Sequence, residues 1–142
     1  IAAQDAKLGQ FYVRMGMVPQ VGPYLLPKLV GMGRAKLLSY TGDLVDAREA
    51  ERIGLVDLVV APGEMLDAAR DLGRRLAQGP RAISLIKQAI NESVHMDFRL
   101  ALDYAKRLAY QAAQTHYHAE AVAAFLEQRE PAFRGSGGGR PP

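Results

Sequence analysis

The 142-residue chain has no cysteine and no tryptophan. The first absence excludes disulfides and any thiolate metal site, and it fits a reducing compartment, so a cytoplasmic location is expected. Charge of either sign is scarce in excess: 18 Lys plus Arg against 15 Asp plus Glu leave a formal net charge of +3. That is too little for a surface that coats a polyanion, so no nucleic-acid partner is expected. Nothing approaches the roughly 20 unbroken apolar residues of a membrane-spanning helix. The chain opens at Ile1 without an initiator Met or a signal-peptide pattern, as expected of a sequence that begins mid-protein.

What is present suits a folded chain. Hydrophobic residues make up 49% and charged residues 23%, and a chain of this size buries roughly 70% of the surface its unfolded form exposes. The hydrophobic pattern divides the chain near residue 62, giving an expected organisation of 1–62, a helical region 63–134 and a Gly/Pro-rich flexible tail 135–142. In the helical region, Met65, Ala69, Leu72 and Leu76 recur at helical steps before the stop signal Gly79-Pro80. Ile83, Ile86, Ala89, Ile90 and Val94 form a second stripe. Phe98, Ala101, Ala105, Leu108, Ala109 and Ala112 form a third, with Asp97 as N-cap. A fourth helix is expected from about Tyr117 to Gln128, capped by Thr115 and ended by Pro131. The alanine-rich faces suit close helix packing, either within the chain or between chains.

The first part is more broken. Asp46 and Glu49 have the capping-box spacing, Gly54 supplies a left-handed stop, and Leu55 to Val60 reads as a buried strand. Arg34 to Tyr40 reads as helix ending at Thr41-Gly42. Between Gly16 and Gly33, three prolines and four glycines indicate tight turns around a short apolar segment, Tyr24 to Leu29.

No phosphate-binding loop, dinucleotide fingerprint or nucleophile elbow is present. His116 and His118 fall on different helix faces and His95 is remote, so no metal site is expected. Composition and spacing alone describe a helix-rich region and no chemistry.

Particular stretches carry more. Ala3 to Gln10, then Val13-Arg14-Met15-Gly16-Met17-Val18-Pro19, Leu25 to Gly31, Arg34-Ala35-Lys36, Thr41-Gly42, Ala47 to Val60, and Ala124 to Arg129 with Pro131 and Phe133 follow one another in order. This succession resembles the enoyl-CoA hydratase/isomerase (crotonase) superfamily, and specifically its later, C-terminal half. The resemblance implies an α/β, helix-rich fold: the end of a crotonase-type ββα spiral core followed by a C-terminal helical region. It further implies a coenzyme A thioester substrate with no separate cofactor, trimers that pair into hexamers, lyase or isomerase chemistry in fatty acid metabolism, and an oxyanion hole of two backbone N–H groups. In such a hole one preorganised donor is worth roughly 3 to 4 kcal/mol. On the later-half reading those donors lie outside this chain.

Hydratases of the family use two glutamates. One would precede Ile1, and the other follows a Gly-Gln pair, where this sequence has Gly9-Gln10-Phe11-Tyr12 and thus Tyr12 at the glutamate position. A phenol near pKa 10 is about one part in a thousand ionised at pH 7, so it is a poor base and a fair hydrogen-bond donor. Some isomerases of the family place an acid just after Val-Pro; here that residue is Gln20, an amide that orients groups but carries no proton between them. Tyr12 and Gln20 are therefore the candidate catalytic residues of a non-hydratase reaction, or line the pocket while a glutamate upstream acts alone, or are the pocket wall of a member that has lost or changed its activity. Pro19 and Gly22 are expected to line the acyl pocket. Pro23, in place of a usual glycine, should favour the first turn of a helix near Tyr24. Arg129 and Arg134, beside Phe125 and Phe133, are either contacts for the coenzyme A phosphates or a solvated basic rim.

Overall fold

The computed structural model describes residues 1–133, which fall within two compact units, Ile1–Leu72 and Gly73–Pro142. The first unit is the α/β part. Strand β1 (Ala2–Ala3) pairs in parallel with β4 (Val59–Val60), and β2 (Lys7–Gly9) pairs antiparallel with β3 (Leu44–Asp46) in the register Lys7 to Asp46, Leu8 to Val45, Gly9 to Leu44. Strands β2 and β3 can approach closely at Gly9, where a Cβ would lie 2.5 Å from the Asp43 carbonyl oxygen. A 3-10 turn, Phe11–Met15, follows β2 and ends at Gly16 with φ 67°.

Helix α1 (Gly22–Thr41) supplies half of this unit's buried hydrophobic residues, Leu26, Ala35 and Leu38. Pro23 sits in its first turn, where the missing N–H has no helical partner to lose. The expected run of turns from Gly16 to Gly33 is thus corrected: helix begins at Gly22 and takes in Tyr24 to Leu29. The glycines act instead at one point, Gly31, whose φ 77° and ψ 160° break the helix. The break lets Leu26 before it and Ala35 and Leu38 after it face one core, against which Val30, Val45, Ile53 and Leu55 pack. Gly42 caps the end at φ 66°, its N–H donating to the Leu38 carbonyl.

Helix α2 (Ala47–Arg52) starts at Asp46, whose carboxylate accepts from the Glu49 N–H at 2.8 Å. The reciprocal arm of the capping box is not made. Glu49 instead binds Arg52 at 2.6 Å and Arg34 at 3.1 Å, and the Arg52 guanidinium, then Arg34, holds its carboxyl below the usual range. The strand expected over Leu55 to Val60 is shorter and only half-buried where it forms. The Leu55 and Val56 N–H groups both donate to the Ala50 carbonyl to close α2, which leaves Val59–Val60 for the ladder.

The second unit is helical. Helix α3 (Met65–Ala77) leads into it, followed by α4 (Ala82–Ser93), α5 (Phe98–Ala113) and α6 (His116–Leu126). The expected caps are in place: Asp97 accepts from the Leu100 N–H at 3.0 Å and Thr115 from the His118 N–H at 3.4 Å. Helix α4 packs on α5, with Gln88 donating to the Tyr104 hydroxyl at 2.7 Å, and Leu85, Leu108 and Ala124 are buried. The stripes read from sequence are only partly covered. Ile86, Ile90, Val94 and Phe98 are exposed, since Leu85 rather than the Ile86 side of α4 turns inward. The expected tail lies outside the described residues.

Two substitutions test this backbone reading. Gly42→Ala forces a left-handed alanine and brings its Cβ to 2.9 Å from Val13 Cγ1, so it should cost about 1 to 3 kcal/mol in thermal or urea unfolding. Gly33→Ala, in α1 with nothing within 4 Å of its Cβ, should instead stabilise by about 0.5 to 1 kcal/mol.

Candidate active site

A cleft of about 530 Å³ opens in the first unit between the 3-10 turn, the loop 17–21 and the start of α1. Four of the residues singled out in the sequence, Tyr12, Pro19, Gln20 and Gly22, line it together. Tyr12 is held there by its backbone. Its carbonyl accepts from the Met17 N–H at 3.0 Å, and the Arg14 guanidinium anchors the turn to Asp43 at 2.7 Å. Its ring stacks beside Phe11, with centroids 6.0 Å apart, and the residue is 40% exposed. Gln20 is exposed at the cleft edge, while Pro19 is half-buried.

The rest of the lining is Gln10 and an apolar set that includes Met17, Val18, Leu25 and Leu29. Sequence reasoning passed over these. Gln10 stands in the same Gly-Gln motif as Tyr12, which was the available signal; the leucines were hidden inside what read as a turn-rich segment. Among the described residues no Asp, Glu, His, Lys or Arg lines the cleft, and its polar side chains are one phenol and two amides. It can therefore donate and accept hydrogen bonds but offers no carboxylate to take a proton from water. Among the described residues no group of three His, Asp or Glu side chains is placed to hold a metal ion.

The other candidates belong to the second unit. Phe125 on α6 is 82% exposed, and Phe133 sits beside Tyr117 with ring centroids 6.1 Å apart. Arg129 is occupied: it donates to both Glu120 carboxylate oxygens, at 2.6 and 3.2 Å, and to Glu127. Glu120 also accepts from the Ala132 N–H at 2.8 Å. The Arg129 guanidinium and then that N–H hold the Glu120 carboxyl down at about 2. Arg134 lies outside the described residues.

The comparisons with known proteins match this arrangement. A family model described as enoyl-CoA hydratase/isomerase matches residues 1–136. The chain belongs to the enoyl-CoA hydratase/isomerase family. It is 42% identical over 135 residues to a crotonyl-CoA hydratase of Syntrophomonas wolfei, covering 94% of this chain and 52% of that protein. It is 34% identical over 137 residues to a 1,2-epoxyphenylacetyl-CoA isomerase of Escherichia coli, covering 95% and 52%. An enoyl-CoA hydratase structure from Geobacillus kaustophilus superposes with a TM-score of 0.86 at 32% identity, over 94% of this chain and 53% of that one. The fold is therefore the crotonase-type, helix-rich α/β fold, and the chain spans about half the length of the relatives it matches.

One expectation is corrected by these matches. The chain was read as the later, C-terminal half of a family member. The family model, however, is met from residue 1 onward, and what the matches establish is membership over a half-length. The later-half assignment is withdrawn.

The Glu120–Arg129 clamp gives a pH prediction. A carboxyl whose folded pKa is depressed adds stability that is present above its ordinary pKa near 4.5 and is lost as pH falls toward 2. An NMR titration of the Glu120 carboxyl carbon should show a midpoint near 2, and Arg129→Ala should move it up toward the ordinary carboxylate range. A midpoint unmoved by Arg129→Ala would show that the clamp does not form.

Proposed function

We propose that the protein acts on a coenzyme A thioester whose acyl group enters the cleft, and that it stabilises a thioester enolate and transfers a proton by a route other than two-carboxylate hydration. The observation that carries this reading is the cleft lining. Tyr12 and Gln20, at the two positions within this chain where the resemblance would place carboxylates, line the cleft, and among the described residues no Asp or Glu lines it. A phenol at the first position can donate a hydrogen bond or a proton to a developing negative charge, and Gln20 can orient the acyl group. Pro19 and Gly22 shape the wall beside them.

The similarity to both a hydratase and an isomerase of CoA thioesters supports the substrate class without choosing the reaction. Coenzyme A enters as part of the substrate, with no further cofactor, and a cytoplasmic location belongs to the same reading. Among the described residues no helix is long and apolar enough to cross a membrane. Phe125, Phe133 and Arg134 remain the proposed contacts for the rest of the coenzyme, while Arg129 could contribute only by leaving Glu120. The division into an active-site segment 1–62, a helical region 63–134 and a tail 135–142 is part of this proposal. A second reading, an oligomer-forming module without activity, is favoured by the exposed apolar faces of α4 to α6, including Phe98 at 84% and Leu126 at 75% exposure. Trimers or hexamers would cover such faces under either reading.

Two measurements on the purified protein separate these readings. In heavy water, butyryl-CoA should exchange its α-protons, each proton leaving to a solvent-derived base in the open cleft and being replaced by a deuteron from solvent while Tyr12 hydrogen-bonds the enolate oxygen. Tyr12→Phe should slow that exchange about a hundredfold, the lower range for a positioned proton donor. Loss of the conjugated thioester absorbance of crotonyl-CoA should be slow. Rapid hydration untouched by Tyr12→Phe would overturn the role given to Tyr12, and no exchange at all would favour the inactive module.

A further inference from the structure

We infer that Arg14 is a positioning residue for the Tyr12 phenol, fixing through its ion pair with Asp43 where the ring stands in the cleft; the inference rests on the role given to Tyr12 above.

The 3-10 turn that carries Tyr12 has little of its own to hold it. None of its residues is buried and no side chain caps its start. Among the described residues the Tyr12 hydroxyl makes no hydrogen bond, and its ring stacks beside its chain neighbour Phe11. The direction of the phenol is therefore set by the backbone beneath it, and that backbone is set by what the rest of the turn grips.

It grips the end of α1. Val13 and Arg14 lie over the bare Cα of Gly42, where a Cβ would come 2.9 Å from Val13 Cγ1, 3.1 Å from Arg14 Cγ and 3.2 Å from Arg14 Nε. The Arg14 guanidinium reaches one residue further and donates to Asp43 Oδ1 at 2.7 Å. Asp43 is itself fixed. Its N–H donates to Thr41 Oγ1 at 3.2 Å, that hydroxyl donates to the Leu37 carbonyl at 3.0 Å, and the Asp43 carbonyl oxygen lies against Gly9 at the end of the β2–β3 ladder. With about three residues to a 3-10 turn, positions 12 and 14 face different sides, and Tyr12 lines the cleft while Arg14 does not. Holding Arg14 against the end of α1 thus holds the phenol in the cleft. A displacement of about 1 Å at a reacting group can cost about a hundredfold in rate. An exposed ion pair adds little to overall stability, so this grip can be released without unfolding the protein.

Exchange of the butyryl-CoA α-protons in heavy water, followed over a range of thioester concentrations with the full protein, reads the consequence. Arg14→Ala should lower the maximal exchange rate about tenfold with the half-saturating concentration unchanged, and Arg14→Lys, which keeps a cation for Asp43, should recover most of it. In a Tyr12→Phe background the same Arg14→Ala change should alter the rate by less than about twofold, since the two residues act as one unit. An Arg14→Ala rate equal to that of the unsubstituted protein would overturn the inference, and so would an equal fractional loss with and without the phenol. The ring supplies a second readout: in protein labelled at tyrosine, Arg14→Ala should shift the Tyr12 ring resonances and leave those of Tyr104 and Tyr110 in place. No exchange by the unsubstituted protein would overturn the role of Tyr12 and leave those resonances to decide the positioning; unmoved in Arg14→Ala, they overturn it.

Discussion

The first unit depends on one close approach, the Gln10 side chain against the Cα of Gly22. It ties the end of β2 to the first turn of α1 and so closes the intervening residues, the 3-10 turn and the loop 17–21, into the wall of the cleft. Any side chain at position 22 would have to push the amide away. The displaced amide would lose Ser39 and loosen the wall that carries Tyr12, Pro19 and Gln20. A side chain at Gly22 would thus displace the far end of Gln10, whereas Gly31 and Gly42 are required for their backbone angles.

From that constraint the chemistry follows by subtraction. The turn is pinned from its other side by the Arg14–Asp43 ion pair and by the Gly42 cap of α1. An exposed pair such as Arg14–Asp43 adds little stability by itself; here its value is geometric, since it sets where the turn lies. Among the described residues the polar side chains of the cleft are a phenol and two amides, and under the proposed reading a cleft of that kind positions and donates.

Local signals in the sequence were read well where a single side chain decides the backbone. The caps at Asp46, Asp97 and Thr115 and the left-handed stops at Gly42 and Gly54 are all in place. Readings failed where the outcome depends on residues far away. Leu55 to Val60 has the composition of a strand, but its first two N–H groups are taken by the Ala50 carbonyl. The stretch from Gly16 to Gly33 has the composition of turns, yet Leu26 is drawn into the same core as Leu38, and the helix forms around Pro23 and Pro27. Glu49 fits a capping box by spacing, but two arginines outbid a single backbone N–H. For the site, Tyr12, Pro19, Gln20 and Gly22, named from the motif around Gly9-Gln10 and Val18-Pro19, line one cleft. Gln10 stands in that same motif, but its contacts with Gly22 and Ser39 are not encoded in any local pattern.

The central claim, that the cleft between Gln10 and Leu29 receives the acyl group, is tested most directly by amide chemical-shift mapping of the isotopically labelled protein with butyryl-CoA. The account predicts shifts concentrated at Gln10, Tyr12, Met17 to Gly22 and Leu25, with those of Gln20 and Tyr12 among the largest. Saturable shifts confined to residues outside this cleft, with residues 10–29 unmoved, would contradict it.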